Sequence, residues 1–250
     1  MIAFITGATA GIGKASAEIF AKNGYDLVIT GRRKERLQIL AEELITAYNI
    51  NVHTLCFDVR KVEEVKTNIA SLPAQFKNID VLINNAGLSA GLATLQEGNI
   101  ADWDVMIDTN VKGLLYITRQ IAEGMITRKK GHIINMGSIA GKEVYPNGNV
   151  YCATKFAVDA LTKAMRIEML PHNIKVSSVN PGMVETEFSI VRFHGDEDRA
   201  KKVYEGIQPL VAEDIAETIY WIASRPPHVN INEVVIMPTA QANTTTLIRK

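Results

Sequence analysis

A short apolar run, Ile2 to Thr6, passes directly into a glycine-rich turn, Gly7-Ala8-Thr9-Ala10-Gly11-Ile12-Gly13. The turn passes directly into Lys14 to Asn23, where Ala17, Ile19, Phe20 and Ala21 recur at helical spacing. Strand, glycine turn and helix in this order restrict the chain more than any other feature. The apolar run suits a strand buried on both faces. Glycines let the backbone turn tightly and approach a pyrophosphate, while a helix N-terminus offers N–H donors and a partial positive charge. The spacing is Gly7-x3-Gly11-x-Gly13, with Thr9 and Ile12 inside it. A purely structural turn would use the same glycines, but a strand–helix junction favours a dinucleotide site.

The alternation continues along the chain. Asp26 to Thr30, Val52 to Phe57, Val81 to Asn84, His132 to Met136, Ile174 to Asn180 and Val234 to Met237 read as further strands. Helical patterns separate them. Lys34 to Tyr48 turns Leu37, Leu40, Ala41 and Leu44 inward, and others cover Val62 to Leu72, Ile100 to about Thr127, Val150 to Leu170 and Ala212 to Ser224. This pattern predicts a single α/β domain over residues 1–250, Rossmann-like and doubly wound, with a seven-stranded parallel sheet flanked by helices. Two stretches exceed ordinary connections, Gly137 to Asn149 and Met183 to Val211. Loops of that length often form walls or lids. Residues 183–211 are the expected substrate loop.

Composition narrows the partners. The 27 basic and 27 acidic side chains cancel, so net charge draws the chain to neither nucleic acid nor an anionic membrane. No apolar run approaches the roughly 18 residues of a membrane span. The start, Met1-Ile2-Ala3-Phe4-Ile5, lacks the features of a signal peptide. A soluble, cytoplasmic protein is expected. Cys56 and Cys152 have no metal or redox spacing and read as small buried residues. His53, His132, His172, His194 and His228 are scattered, so no metal is expected.

The end of the second strand selects the cofactor. An acid there suits the ribose 2′-hydroxyl of NAD, whereas arginine suits a 2′-phosphate. Here Gly31 is followed by Arg32 and Arg33, whose planar forks fit phosphate. A solvated helix start is the plainer reading of these cations; Glu35 among them and the neutral chain speak against a nucleic-acid patch. NADP is the expected cofactor. Farther on, Tyr151 and Lys155 stand four residues apart, which puts a phenol and an ammonium on one helix face about 6 Å apart along its axis. A cation so placed lowers a pKa that is otherwise about 10. Such a pair also arises by chance on many helix faces. Cys152 points about 100° away and is a poor candidate nucleophile.

Together, Thr6 to Gly13, Asn84-Asn85-Ala86-Gly87, Ser138, Tyr151-x3-Lys155 and Pro181-Gly182 resemble the short-chain dehydrogenase/reductase family, in order and approximate spacing, over essentially the whole chain. The resemblance implies that Asp58 and Val59 flank adenine and that Asn85 and Ala86 line the cofactor groove. It implies that Val184 and Thr186, after Pro181-Gly182, reach the carboxamide end of nicotinamide. Asn110 matches the family's Asn-Ser-Tyr-Lys tetrad, so Asn110, Ser138, Tyr151 and Lys155 are the expected catalytic residues. A homotetramer paired through the helices holding Asn110 and Tyr151 is implied as well. More narrowly, Thr30 to Leu37, Met106 to Leu114, Glu187 to Asp196 and Pro227 to Asn232 are similar to bacterial NADP-dependent 3-hydroxy acid dehydrogenases. That group acts on serine, allo-threonine and related acids, and reduces malonic semialdehyde.

The implied chemistry is hydride transfer at the substrate's hydroxyl carbon while Tyr151 moves the proton, as base in oxidation and as acid in reduction. An unshifted phenol is ionised in about one molecule in a thousand at pH 7, so Lys155 and the oxidised nicotinamide are expected to stabilise phenolate. Lys155 is also expected to hold the nicotinamide ribose, Ser138 the substrate oxygen, and Asn110 a water feeding protons to Lys155. A 3-hydroxy acid brings a carboxylate, and Arg192 is the candidate for a bidentate pair with it. A lid tether or a subunit contact fits Arg192 equally well, and His194 is the weaker candidate. The expected partner is a small 3-hydroxy acid or carbonyl, with no nucleic acid or membrane. Two readings compete: a carbonyl reductase without carboxylate preference, and a non-catalytic NADPH-binding regulator on the same fold.

Overall fold

Strands this apolar need cover on both faces, and the computed structural model, which describes residues 1–250, gives it to them. The elements run β1 (Ile2–Ile5), α1 (Gly11–Lys22), β2 (Asp26–Gly31), α2 (Lys34–Tyr48), β3 (Val52–Cys56), α3 (Val62–Ala70) and β4 (Val81–Asn84). They continue as α4 (Ile100–Ile107), α5 (Leu114–Arg128), β5 (Gly131–Met136), α6 (Asn149–Met169) and β6 (Ile174–Pro181). The chain closes with α7 (Phe188–Arg192), α8 (Glu197–Lys202), α9 (Ala212–Ala223) and β7 (Glu233–Ile236). The seven strands form one sheet, ordered β3-β2-β1-β4-β5-β6-β7, with every neighbouring pair parallel. The expected single-domain α/β architecture is the observed one.

Alternate residues of a strand feed opposite layers. In β1, Ala3 and Ile5 pack with Phe20, Leu37, Leu44 and Ile219 of α1, α2 and α9. Ile2 and Phe4 pack with Val65, Ile117, Met125 and Val158 of α3, α5 and α6. The strand order then fixes where a site can form. The chain winds outward from β1 to β3 and returns to β4 on the other side of β1. Connections therefore leave β1 and β4 in opposite directions, opening a crevice beyond their carboxyl ends.

Two places depart from the sequence reading, and a third was not read at all. Ile100 to Thr127 is interrupted by a π-helical segment, Asp108–Gly113, between α4 and α5. A wider turn of this kind re-aims a side chain, and here it holds Asn110. Cys56, expected to be buried, is exposed, while Cys152 is buried. The reason is positional: β3 is an edge strand, and Leu55 rather than Cys56 points inward. The tail after β7 is also ordered. Gln241 bridges Leu247, Lys250 N donates to Gly206 O at 2.8 Å, and Thr244 N donates to Glu143 Oε2 at 3.1 Å. It thus ties the two long loops together. The Met183 to Val211 stretch is closed at its base by a bridge between Val184 and Leu210. No helix is long and apolar enough to cross a membrane.

Candidate active site

A cavity of about 550 Å³ occupies the crevice. Its floor is the glycine turn, locked where β1 and β4 end. Thr6 Oγ1 accepts from Asn85 N at 3.0 Å and Ala86 N at 2.9 Å, and Asn85 Nδ2 donates to Thr6 O at 2.9 Å. Gly13 lies beneath the cavity rather than on it: a Cβ there would sit 2.3 Å from Gly7 O. Gly11 adopts φ +50°, a left-handed conformation that favours glycine. No side chain caps α1 at Ala10, and Ala10, Gly11 and Ile12 line the cavity. The first N–H groups of this helix are therefore presented as an anion site.

Arg32 and Arg33 stand at one end. Arg33 donates from Nε and Nη2 to Thr9 Oγ1, at 3.1 and 2.8 Å, and from Nη1 to Glu187 Oε2 at 2.8 Å. Arg36 donates to the other Glu187 oxygen at 2.7 Å. Burial raises the Glu187 pKa, but these bonds outweigh it and hold the carboxyl below its ordinary value. Asp58 and Val59 line the wall nearby. Burial likewise pushes the Asp58 carboxyl up, and the Arg60 guanidinium, bonded to both its oxygens, brings it below its usual value.

At the other end, the inward face of α6 carries Tyr151, Thr154, Lys155, Val158 and Thr162. The helical period therefore delivers both chemical groups to the cavity together. Lys155 is 7% exposed, and its Nζ donates to Met136 O at 2.8 Å. Burial lowers its pKa to about 8. Burial raises that of Tyr151, against the pull of the Arg192 charge and the Ser138 hydroxyl. The Arg192 guanidinium carbon is 5.3 Å from the Tyr151 ring centre, and Lys155 Nζ is 6.0 Å away. The cation nearest the phenol ring is thus Arg192, whereas sequence spacing directs attention to Lys155.

Ser138 follows β5 by two residues, accepts from Ala140 N at 3.1 Å and lines the cavity. Asn110 does not line it. Its carboxamide accepts from Leu88 N at 2.8 Å and donates to Leu88 O at 2.8 Å and Thr154 Oγ1 at 3.0 Å. Its side chain thus braces α6 against the loop after β4. Pro181, Gly182, Val184 and Thr186 lie on the cavity wall.

Arg192 is bounded by rings, with its guanidinium carbon 5.0 Å from the Phe188 centre and 5.9 Å from that of Tyr145. Its Nη2 donates to Tyr145 Oη at 2.9 Å, but its buried Nε has no partner. It takes part in none of the chain's ion pairs. His194 turns away, its Nε2 3.2 Å from Asp102 Oδ2. Sequence reasoning missed Tyr145, Phe188, Glu187 and the tail residues Gln241, Thr244 and Leu247, all on the cavity. The two unusually long loops pointed to the first three, and the resemblance over Glu187 to Asp196 pointed to Glu187 and Phe188 as well.

Comparison with known proteins decides the family. The profile described as short chain dehydrogenase matches residues 1–196. The chain belongs to the short-chain dehydrogenase family. It is 48% identical over 243 residues to the NADP-dependent 3-hydroxy acid dehydrogenase YdfG of Salmonella typhi, covering 97% of this chain and 96% of that one. To the serine 3-dehydrogenase of Rhizobium radiobacter it is 42% identical over 238 residues, 95% of this chain and 94% of the other. Its fold matches the closed form of a serine dehydrogenase complexed with NADP+ at a TM-score of 0.93, with 43% identity and full coverage of both chains. As a member of the family, the chain is an NADP-dependent oxidoreductase acting on the CH–OH group of donors.

The residues present fit that cofactor. An uncapped helix N-terminus lines the cavity, and Arg32 and Arg33 on the same cavity would supply the cations that a 2′-phosphate needs. A Cβ at Gly31 would come within 2.7 Å of the Thr9 side chain, so glycine keeps the wall open at the arginine end.

Proposed function

We propose that this dehydrogenase interconverts a 3-hydroxy acid, such as serine, L-allo-threonine or 3-hydroxypropionate, and its 3-oxo acid or semialdehyde. NADP, when bound, accepts or supplies the hydride. Tyr151 takes the hydroxyl proton in oxidation and returns it in reduction. Lys155, with its pKa near 8, keeps most of its charge at pH 7. Lys155 and Arg192 lie at 6.0 and 5.3 Å from the phenol ring centre. The Arg192 charge favours phenolate, which opposes the upward pull of burial. Ser138 holds the reacting oxygen. Asn110 braces α6 so that Tyr151 and Lys155 keep their places.

The observation that carries the substrate class is Arg192. A buried guanidinium N–H without a partner costs free energy unless something occupies it, and this one lies beside the proposed acid/base. A carboxylate on a substrate that presents its hydroxyl to Tyr151 would give Arg192, which lines the cavity, the counter-charge it lacks within the protein. The printed names of the relatives, 3-hydroxy acid and serine dehydrogenases, support the same reading. Ile107, Leu115 and Phe156, apolar and exposed along α4 to α6, support the expected pairing of subunits on that side.

A substrate panel tests the proposal. With NADP+, kcat/KM for 3-hydroxypropionate is expected to exceed that for its uncharged methyl ester by at least about tenfold, with L-serine and L-allo-threonine also turned over. Equal values for acid and ester favour the carbonyl reductase without carboxylate preference. No turnover despite tight NADPH binding favours the non-catalytic regulator.

A further inference from the structure

Thr186 and Glu187 open the substrate-facing segment, yet Thr186 reaches back to the glycine turn and Glu187 to the arginine end of the cavity. Thr186 packs on the glycine turn, where a Cβ at Gly11 would meet its side chain at 3.2 Å. Glu187 joins Arg33 at 2.8 Å and Arg36 at 2.7 Å. Helix α7 begins at the next residue and ends at Arg192, whose carbonyl accepts from Gly91 N at 2.9 Å. Five residues are thus pinned at both ends, and they carry Phe188 and Arg192 against Tyr151, with the Phe188 and Tyr151 ring centres 5.6 Å apart. The group at the outer pin is Arg33, the side chain expected to read a 2′-phosphate.

We propose that Glu187 is a positioning residue that couples recognition of the cofactor's 2′-phosphate at Arg33 to the placement of α7 over Tyr151. The substrate consequence of that coupling rests on the function proposed above. Two physical arguments support it. Arg32, Arg33 and Arg36 outnumber Glu187 by two positive charges, and a phosphate monoester carries about −1.5 to −2 at pH 7, so the phosphate is accommodated without expelling the carboxylate. The side chains of Arg33 and Glu187 are both 41% exposed. An ion pair this exposed contributes little alone, because holding two long side chains in one geometry offsets the attraction. A phosphate that immobilises Arg33 removes part of that entropic cost, so the strap from Glu187 tightens with NADP and not with NAD. Linkage makes the coupling reciprocal.

Amide hydrogen exchange across residues 183–203 tests this without turnover. The full-length protein is measured alone, saturated with NADP+ and saturated with NAD+, as wild type, Glu187→Gln and Arg36→Met; NADPH fluorescence titration verifies that each variant binds cofactor. Arg36 does not line the cavity, so its variant cuts one limb of the strap while leaving the lining side chains intact. In the wild type, NADP+ is expected to slow exchange in α7 at least about fivefold more than NAD+ does. That increment is expected to fall below half its wild-type size in both variants. The KM for 3-hydroxypropionate is expected to rise several-fold in both, with kcat changed less. Equal protection by the two cofactors in the wild type, or an increment above half its wild-type size in either variant, overturns the proposal. If Glu187→Gln does not fold, Arg36→Met decides by the same criterion. Because exchange is read without substrate, a failure of the 3-hydroxy acid assignment leaves this test intact.

Discussion

Two arginines face one cavity from opposite ends, in opposite circumstances. Arg33 is partly exposed and has every branch of its guanidinium occupied, by Thr9 and by Glu187. Arg192 is enclosed by the rings of Tyr145, Tyr151 and Phe188, meets no carboxylate, and leaves Nε without a partner. The difference separates two kinds of cation. One already bonded within the protein contributes to the framework and can share its charge with a phosphate. One that is part-buried among rings and has no carboxylate partner in the protein is suited to a ligand that brings one. On this view the Arg33 end grips, the Tyr151 end reacts, and changes at each end have separable consequences.

The sharpest way to break that division is at the phenol. Tyr151→Phe removes the proposed acid/base and is expected to lower kcat by about a thousandfold. The NADPH dissociation constant, from fluorescence titration, is expected to stay within about twofold. Substantial remaining turnover would take the chemistry away from this end. A smaller effect is expected at the opposite end. Arg33→Ser is expected to weaken NADPH binding by about 10- to 100-fold, the loss of a hydrogen-bonded charge partner, with NADH binding left within about twofold. Equal losses for both cofactors would show that Arg33 supports the fold of the turn rather than the phosphate.

Much of this arrangement was legible in the sequence because its determinants are local. The sheet follows from apolar runs alternating with helical periods. Tyr151 and Lys155 share a face because four residues on a helix always do. The glycine turn meets the cavity because it joins β1 to α1. What escaped the sequence depends on contacts between distant residues. Glu187 and Arg33 are 154 positions apart, and no local pattern pairs them. Tyr145 sits in a loop whose length drew attention but whose path could not be read. Asn110 was matched to its tetrad position, yet its engagement with Leu88 and Thr154 depends on the π-helical segment that interrupts a continuous helical pattern. Cys56 looked like a core residue because its composition says nothing of an edge strand, and the tail's return to Glu143 and Gly206 has no periodicity to announce it.

The claim that the unpaired arginine defines the substrate is tested most directly by comparing wild type and Arg192→Met on 3-hydroxypropionate and its methyl ester, with NADP+ saturating. The account predicts that kcat/KM for the acid falls by about 10- to 100-fold while that for the ester changes by less than about twofold. An equal loss on the acid and the ester would contradict it, and would leave Arg192 as a tether for α7.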